Sequence, residues 1–235
     1  MSERTEALAA YYARLPKEYG FASQCKMTLL GDIRGKRVLD IDCRRGKGVV
    51  KLSDHVGPKG HVVGVDPSPE WIGIARSFME DAWRRNGLPR NNMEYLVAYP
   101  EDLRAAGLED GTFDLVFANS SVNLDCWPEE VFREAFRVLR PGGVLVFDGV
   151  LASDDRDEAT VRQAREIGNA VQAAPGRAEF ARMMARIGFE GPECYEEADV
   201  APQTGYVDDF EVPVAETDED VRFVKTTACA YKPRR

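Results

Sequence analysis

Lys36-Arg37-Val38-Leu39-Asp40-Ile41-Asp42-Cys43-Arg44-Arg45-Gly46-Lys47-Gly48 decides the fold. Apolar residues run up to an acid, a short loop follows, and Gly46 and Gly48 open a helix. In an α/β protein such a strand, loop and helix mark a site for a nucleotide-like ligand. Strand carboxyl ends and unpaired helix N–H groups converge there. The loop is not a plain glycine turn. Asp42, Arg44 and Arg45 stand where glycines would let a ligand approach the backbone.

The same rhythm continues outward. Strands are read at 37–41, at 61–65 ending on Asp66, at 93–97, at 113–118 running into Asn119, and at 144–147. Helices are read at 46–56, from the Ser68 cap through Trp83, as a short turn at 101–106, and at 128–139. Largely apolar strands alternating with helices predict a parallel sheet covered on both faces. Before it, Leu8, Tyr11, Tyr12 and Leu15 form a helical stripe stopped by Pro16, and Phe21 to Leu30 reads as a second helix. Past Gly149, a long helix capped by Ser153 carries Val161, Ala164, Ile167 and Val171. Another, with Phe180, Met184 and Ile187, closes at Gly188. An acidic irregular stretch then leads to a last strand at 221–231. The expected organisation is an N-terminal helical arm or lid at 1–34 and one α/β domain at 35–235, with 151–188 a helical substrate-side insertion.

The 235 residues suffice for one large domain with a buried core. A net charge of −9 argues against a nucleic-acid partner, which calls for a basic face. Apolar runs are too short to cross a bilayer, and the first residues carry no basic-then-apolar leader, so a cytoplasmic protein off the membrane is expected. The cysteines (25, 43, 126, 194 and 229) are widely spaced and lack metal-ligand spacing, so free thiols and no metal are expected. Cys43 reads as a small buried hydrophobe, and His55 and His61 flank a turn without the look of a base.

A dinucleotide site needs G-x-G-x-x-G directly after the strand, and this loop lacks it. Instead Asp40 precedes the glycines and Asp66 ends the second strand. A carboxylate there suits a ribose diol, since it accepts from both hydroxyls.

With these residues in view, the sequence resembles the Rossmann-like S-adenosylmethionine (SAM)-dependent methyltransferases. The segments that carry the resemblance are Val38 to Gly46, Val63-Gly64-Val65-Asp66, Phe113-Asp114-Leu115-Val116, and Arg137-Val138-Leu139-Arg140-Pro141-Gly142-Gly143, in the family's order. The resemblance implies a doubly wound, mostly parallel seven-stranded sheet with an antiparallel last strand. It also implies SAM as cofactor, a small-molecule substrate, and a homodimer as the assembly to test. It carries cofactor-binding roles to Asp40, Asp42, Arg44, Gly46, Asp66, Pro67, Tyr99, Pro100, Glu101 and Asn119. Tyr11, Tyr12, Ser120 and Asn123 are candidate substrate residues, and no catalytic base is assigned.

Ala118-Asn119-Ser120-Ser121-Val122-Asn123-Leu124 and Arg222-Phe223-Val224-Lys225-Thr226-Thr227 are similar to segments of the arsenite methyltransferase branch. Ser120 and Ala170 stand where that branch has arsenic-binding cysteines, which argues against arsenite as substrate. Other departures touch the cofactor. Asp42 and Arg44 occupy glycine positions. Tyr99 and Pro100 occupy the adenine-recognition positions, where proline has no N–H to give and Tyr99 offers a stacking face instead. Asp42 would repel the cofactor's carboxylate, with Arg44 or Arg45 as a counterweight. Three readings follow: a small-molecule methyltransferase, a fold-retaining binding or scaffold protein without SAM, and a non-methylating enzyme on the same fold.

Overall fold

The structure is a computed structural model and describes residues 3–15, 27, 29, 31–202, 214 and 221–234, apart from the side chains of Ser120 and Glu196. Of the second expected N-terminal helix only Met27 and Leu29 are described, neither of them helical. Its other residues, Cys25 among them, and the acidic 216–220 segment fall outside the described residues. In chain order the elements are α1 Glu3–Tyr12, β1 Arg37–Ile41, α2 Lys47–Val56, β2 His61–Asp66, α3 Pro69–Ser77, α4 Met79–Arg85, β3 Met93–Val97, β4 Phe113–Asn119, α5 Pro128–Val138, β5 Leu139–Ala152, α6 Glu158–Glu166, α7 Arg177–Ile187, β6 Glu190–Val200 and β7 Phe223–Tyr231. Short 3-10 turns at Pro100–Asp102 and Ser120–Leu124 follow β3 and β4.

The strands form one seven-stranded sheet in the order β3-β2-β1-β4-β5-β7-β6. The first five are parallel to one another, and β7 runs antiparallel between β5 and β6. Alternation within each strand feeds two cores. Leu39, Ile41, Val63, Val65, Val116 and Phe147 pack with Phe132, Phe180 and Met184 on one face. Val38, Val62, Leu115, Phe117 and Val146 pack with Val49, Leu52 and Ile72 on the other. Burial on both faces explains why β1 and β2 read as continuous apolar runs. In register, Ile41 lies beside Val65 and Asp66 beside Val97, so β1, β2 and β3 end at one edge of the sheet.

Three expectations needed correction. The helix from Ser68 breaks at Phe78 into α3 and α4, and the Phe78 ring at the break is exposed. The long helix after Gly149 is shorter and starts later. Continued pairing with β7 carries β5 to Ala152, and Asp157, not Ser153, caps α6 by accepting the Thr160 N–H. Its expected last turns give way to a knot around buried Asn169, whose Oδ1 accepts the N–H groups of Val171 and Gln172. The acidic stretch after Gly188 is in part strand β6. It pairs only with β7, so an edge position lets it carry charge on exposed residues, which hides the strand pattern.

Gly64 in β2 determines how closely the loop after β1 can sit. A Cβ there would come 2.6 Å from Val49 Cγ2 and 2.8 Å from Cys43 Sγ. Gly64→Ala is expected to cost about 1–3 kcal/mol through overpacking, read as a lowered urea midpoint at unchanged slope. An unchanged midpoint would show that the loop moves freely.

Candidate functional site

The loop after β1 alternates its backbone hand. Asp42 has φ 54°, Arg44 φ 49° and Gly46 φ 80°. Glycine takes this conformation freely, whereas an L-residue gives up roughly 1–2 kcal/mol, aspartate less than most. The path that glycines would follow is therefore kept with side chains at positions 42 and 44. It is held by hydrogen bonds. Cys43 N–H donates to Val65 O (3.0 Å), Gly46 N–H to Cys43 O (2.8 Å), and Arg44 N–H to Asp66 Oδ2 (2.9 Å). Asp66 Oδ1 accepts the Ser68 N–H at 2.8 Å, so one carboxylate ties the first loop to the start of α3. Gly46 and Gly48 serve packing: a Cβ on them would meet the Tyr95 hydroxyl and Asp40 Oδ2, each at 2.6 Å.

Above this edge lies a cavity of about 590 Å³. Of the candidate cofactor residues, Asp42, Arg44, Asp66, Pro67 and Tyr99 line it, with Tyr12 from the substrate set. Arg44 places its guanidinium 4.4 Å from the Trp71 ring centre, and Arg45 lies 5.8 Å from the same ring. Neither arginine stands merely as a loose surface charge. The other candidates support the walls. Asp40 is buried beneath the first turn of α2. Pro100 is buried at the start of its 3-10 turn. Asn119 caps the turn after β4 by accepting the Ser121 N–H. Asn123 donates to Val150 O and Ala170 O, and Tyr11 to Leu124 O. Gly46 lies behind the loop against Tyr95. The Ser120 side chain is outside the described residues.

Sequence reading missed Asp125 and Trp71, which also line the cavity, whereas Glu101, a candidate from the sequence, lies outside the lining. Glu101 Oε1 accepts the N–H groups of Cys126 (3.0 Å) and Trp127 (3.4 Å), and it receives Tyr12 as well. Asp125 had one signal, a lone acid inside the largely apolar Val122–Trp127 run. Tyr12 joins these pieces. Its hydroxyl lies 2.8 Å from Asp125 Oδ1 and 3.0 Å from Glu101 Oε1, and its ring stacks on Tyr99 at 5.5 Å. One face of Tyr99 is thereby taken by α1.

Acids dominate the electrostatics. Burial, then the charge of Asp66, pushes the Asp40 carboxyl up to about 8. Burial raises Asp66 to about 6, against the pull of the Ser68 and Arg44 N–H groups. Asp42 and Asp125 are held well above the usual carboxylate range, by burial first and then by neighbouring carboxylates. Burial raises Glu101 too. Among the described residues no group of three His, Cys, Asp or Glu could hold a metal ion, and no helix is long and apolar enough to cross a membrane.

The sheet order, the reversed β7 and the acid-ended β2 define a Rossmann-like methyltransferase fold. The methyltransferase-domain family model matches residues 33–188. An arsenite methyltransferase from Aquipseudomonas alcaligenes is 30% identical over 209 residues, covering 88% of this chain and 58% of that protein. The Mus musculus arsenite methyltransferase is 30% identical over 168 residues, 72% of this chain and 45% of that one. The crystal structure of an arsenic(III) SAM methyltransferase from Chlamydomonas reinhardtii superposes with a TM-score of 0.76 at 27% identity, covering 97% of this chain and 74% of that one. The chain belongs to the methyltransferase-domain family, on the arsenite methyltransferase-like branch of the SAM-dependent enzymes, and SAM is the cofactor this membership implies. It spans about half the length of the curated relatives it matches.

The residues fit the nucleoside end of SAM. Two of the roughly four lone-pair positions of the Asp66 carboxylate hold loop N–H groups, which leaves two for a ribose diol. At the amino-acid end of the cofactor the loop presents the Asp42 carboxyl, which suits an ammonium and opposes a carboxylate.

Raised carboxyl pKa values set the sign of a pH effect. Unfolded aspartates ionise near 3.9, so above that pH the folded state binds protons that the unfolded state has lost. Stability contributed by Asp66 and Asp40 therefore falls as pH rises through about 6 and about 8. The urea midpoint is expected to drop from pH 5 to pH 9, with the upper part of the drop reduced in Asp40→Asn. A flat profile would contradict the burial of these acids.

Proposed function

We propose that this chain transfers a methyl group from SAM to a small molecule. The observation that carries the proposal is the Asp66 carboxylate at the end of β2, which lines the cavity with acceptor capacity to spare. In this reading Asp66 holds the ribose, the free face of Tyr99 receives the adenine, and the 42–46 loop meets the methionine end. Bound there, SAM supplies an electrophilic methyl group on a sulfonium. The protein aligns the acceptor and excludes water.

The acceptor space lies between Tyr12 of α1 and Asp125 after β4. Residues 1–34 act as a lid, since Thr5, Ala9 and Tyr12 face the cavity. Residues 151–188 form the substrate-side wall through Gly168 and through Arg165, whose Nε donates to Asn123 O at 3.0 Å. Arsenite is not the assigned substrate, because positions 120 and 170 carry no thiol. A cytoplasmic protein, with a homodimer as the assembly to test, completes the proposal.

A second reading rests on the side chains of Asp42 and Arg44 in the cavity wall. They would crowd a cofactor that glycines admit, leaving a binding protein or a non-methylating enzyme. Isothermal titration separates a chain that binds the cofactor from one that has lost it. A methyl-transfer assay over thiols, amines and phenols then separates a methyltransferase from a non-methylating enzyme that holds SAM. SAM and S-adenosylhomocysteine are expected to bind at micromolar concentration, weakened roughly 10–100-fold in Asp66→Ala by loss of charged hydrogen bonds. Thermal unfolding of that variant checks that the loop remains folded. Absence of binding by either ligand at millimolar concentration would favour the second reading.

A further inference from the structure

Tyr99 rests on a residue from outside the matched methyltransferase domain, which spans residues 33–188. That residue is Tyr12, at the end of α1. The two rings pack with centroids 5.5 Å apart and planes 24° from parallel, and both residues line the cavity. They lie far apart in the chain, so their stacking is a product of the fold.

The backbone and the ring of Tyr99 are fixed by different neighbours. A residue before proline is kept extended, and Tyr99, ahead of Pro100, has φ −77° and ψ 127°. Proline sets the backbone but leaves the side-chain torsions open. The contact that orients the ring is Tyr12.

Tyr12 is itself firmly held. Its hydroxyl lies 2.8 Å from Asp125 Oδ1 and 3.0 and 3.1 Å from the oxygens of Glu101. Burial, then the charges of Asp125 and Glu101, raises the phenol well above its ordinary range, so the hydroxyl keeps its proton and stays a donor. Tyr11 packs against the same ring at 5.5 Å in a T-shaped pair. The helix is anchored as well. Leu8 is buried, the Tyr11 hydroxyl donates to Leu124 O at 2.7 Å, and Arg4 donates to Glu101 O at 3.0 Å. Glu101 also accepts the Cys126 and Trp127 N–H groups. One carboxylate thereby fastens the segment that follows Tyr99 both to α1 and to the turn after β4.

The consequence for a ligand is preorganisation. A ring free to rotate must be ordered before a flat base can stack on it, and that ordering is subtracted from the affinity. Tyr12 fixes the plane beforehand and covers one face, so a base meets the other. Resting on the methyltransferase reading, we infer that Tyr12 is a positioning residue for the nucleoside end of the cofactor, acting through Tyr99 to set the plane on which the adenine stacks. The cofactor site is completed by α1 and is not built by the matched domain alone.

A double-substitution cycle on the full chain tests this. Isothermal titration uses S-adenosylhomocysteine, SAM and 5′-methylthioadenosine, which keeps the adenosine but lacks the amino-acid end. Tyr12→Leu is expected to weaken all three roughly fivefold, the scale of one aromatic stack. Tyr12→Phe keeps the ring and should bind within about twofold of the unmodified chain, although it loses the hydroxyl contacts. In a Tyr99→Leu background, Tyr12→Leu should cost no further affinity, because the ring it positions is gone. Thermal unfolding reports which variants are folded, and Tyr12→Met, whose flexible chain fills more of the space, replaces Tyr12→Leu if that variant does not fold.

Equal losses from Tyr12→Leu with and without Tyr99 overturn the inference, because a general effect of α1 on the fold would add to any other. Unchanged affinity in Tyr12→Leu overturns it too, as does a loss in Tyr12→Phe as large as in Tyr12→Leu. The inference and the methyltransferase reading fail separately. Coupling seen with methylthioadenosine, in a chain that binds neither SAM nor S-adenosylhomocysteine, supports Tyr12 and removes the methyltransferase reading. Binding of SAM without coupling does the reverse, and binding of none of the three removes both.

Discussion

The hydrogen bond from the Arg44 N–H to Asp66 Oδ2 joins the end of β1 to the end of β2, and the site depends on it. Parallel strands ending at one edge give an open trough of loops. The Asp66 carboxylate closes part of it by clasping two loops at once, through Arg44 and through Ser68. That clasp allows Asp42 and Arg44 to stay left-handed although neither is glycine. Local strain is retained where surrounding contacts fix the backbone more strongly than its own preference does. The geometry expected of a glycine loop thus survives with different side chains, and its chemistry changes while its shape does not.

The change is electrostatic. A glycine loop offers backbone N–H groups to an anionic end of a ligand. This one adds a carboxyl, and the turn after β4 adds another in Asp125. Removing several acids from water together costs more than any one of them, since each burial raises the cost of ionising the next. Burial and mutual repulsion therefore favour the protonated forms in this cluster. Hydrophobic contacts elsewhere support that cost, chiefly the Phe132, Phe147 and Phe180 rings stacked against the sheet with centroids 5.3–5.9 Å apart.

Much of the fold could be read from the chain because the central strands are buried on both sides, and burial writes itself as unbroken apolar runs ending in an acid. Those signals placed Asp66 and Asn119 at strand ends, where the structure has them, and Asp40 one residue before the end of β1. The reading failed where packing is one-sided or tertiary. Strand β6 lies at the sheet edge and carries glutamates, so composition made it look irregular. The turns after α6 follow from the buried Asn169 side chain, which no periodicity reveals. In the site, the strand-end acid Asp66 was legible because its type and position are dictated locally. Asp125 was not, and neither was the contact that Tyr12 makes with it and with Glu101, because these residues meet across about ninety to a hundred and ten residues of chain.

Tyr12 joins both halves of the cavity. Its hydroxyl reaches the acids that close the acceptor end, and its ring covers Tyr99 at the end assigned to adenine. The backbone of Met27 adds a second tether between the N-terminal segment and the sheet, donating to Asp148 Oδ2 at 2.8 Å. The described N-terminal residues thus meet the rest of the protein at the cavity wall through Tyr12 and at β5 through Met27, so two separate contacts fix their place beside the sheet.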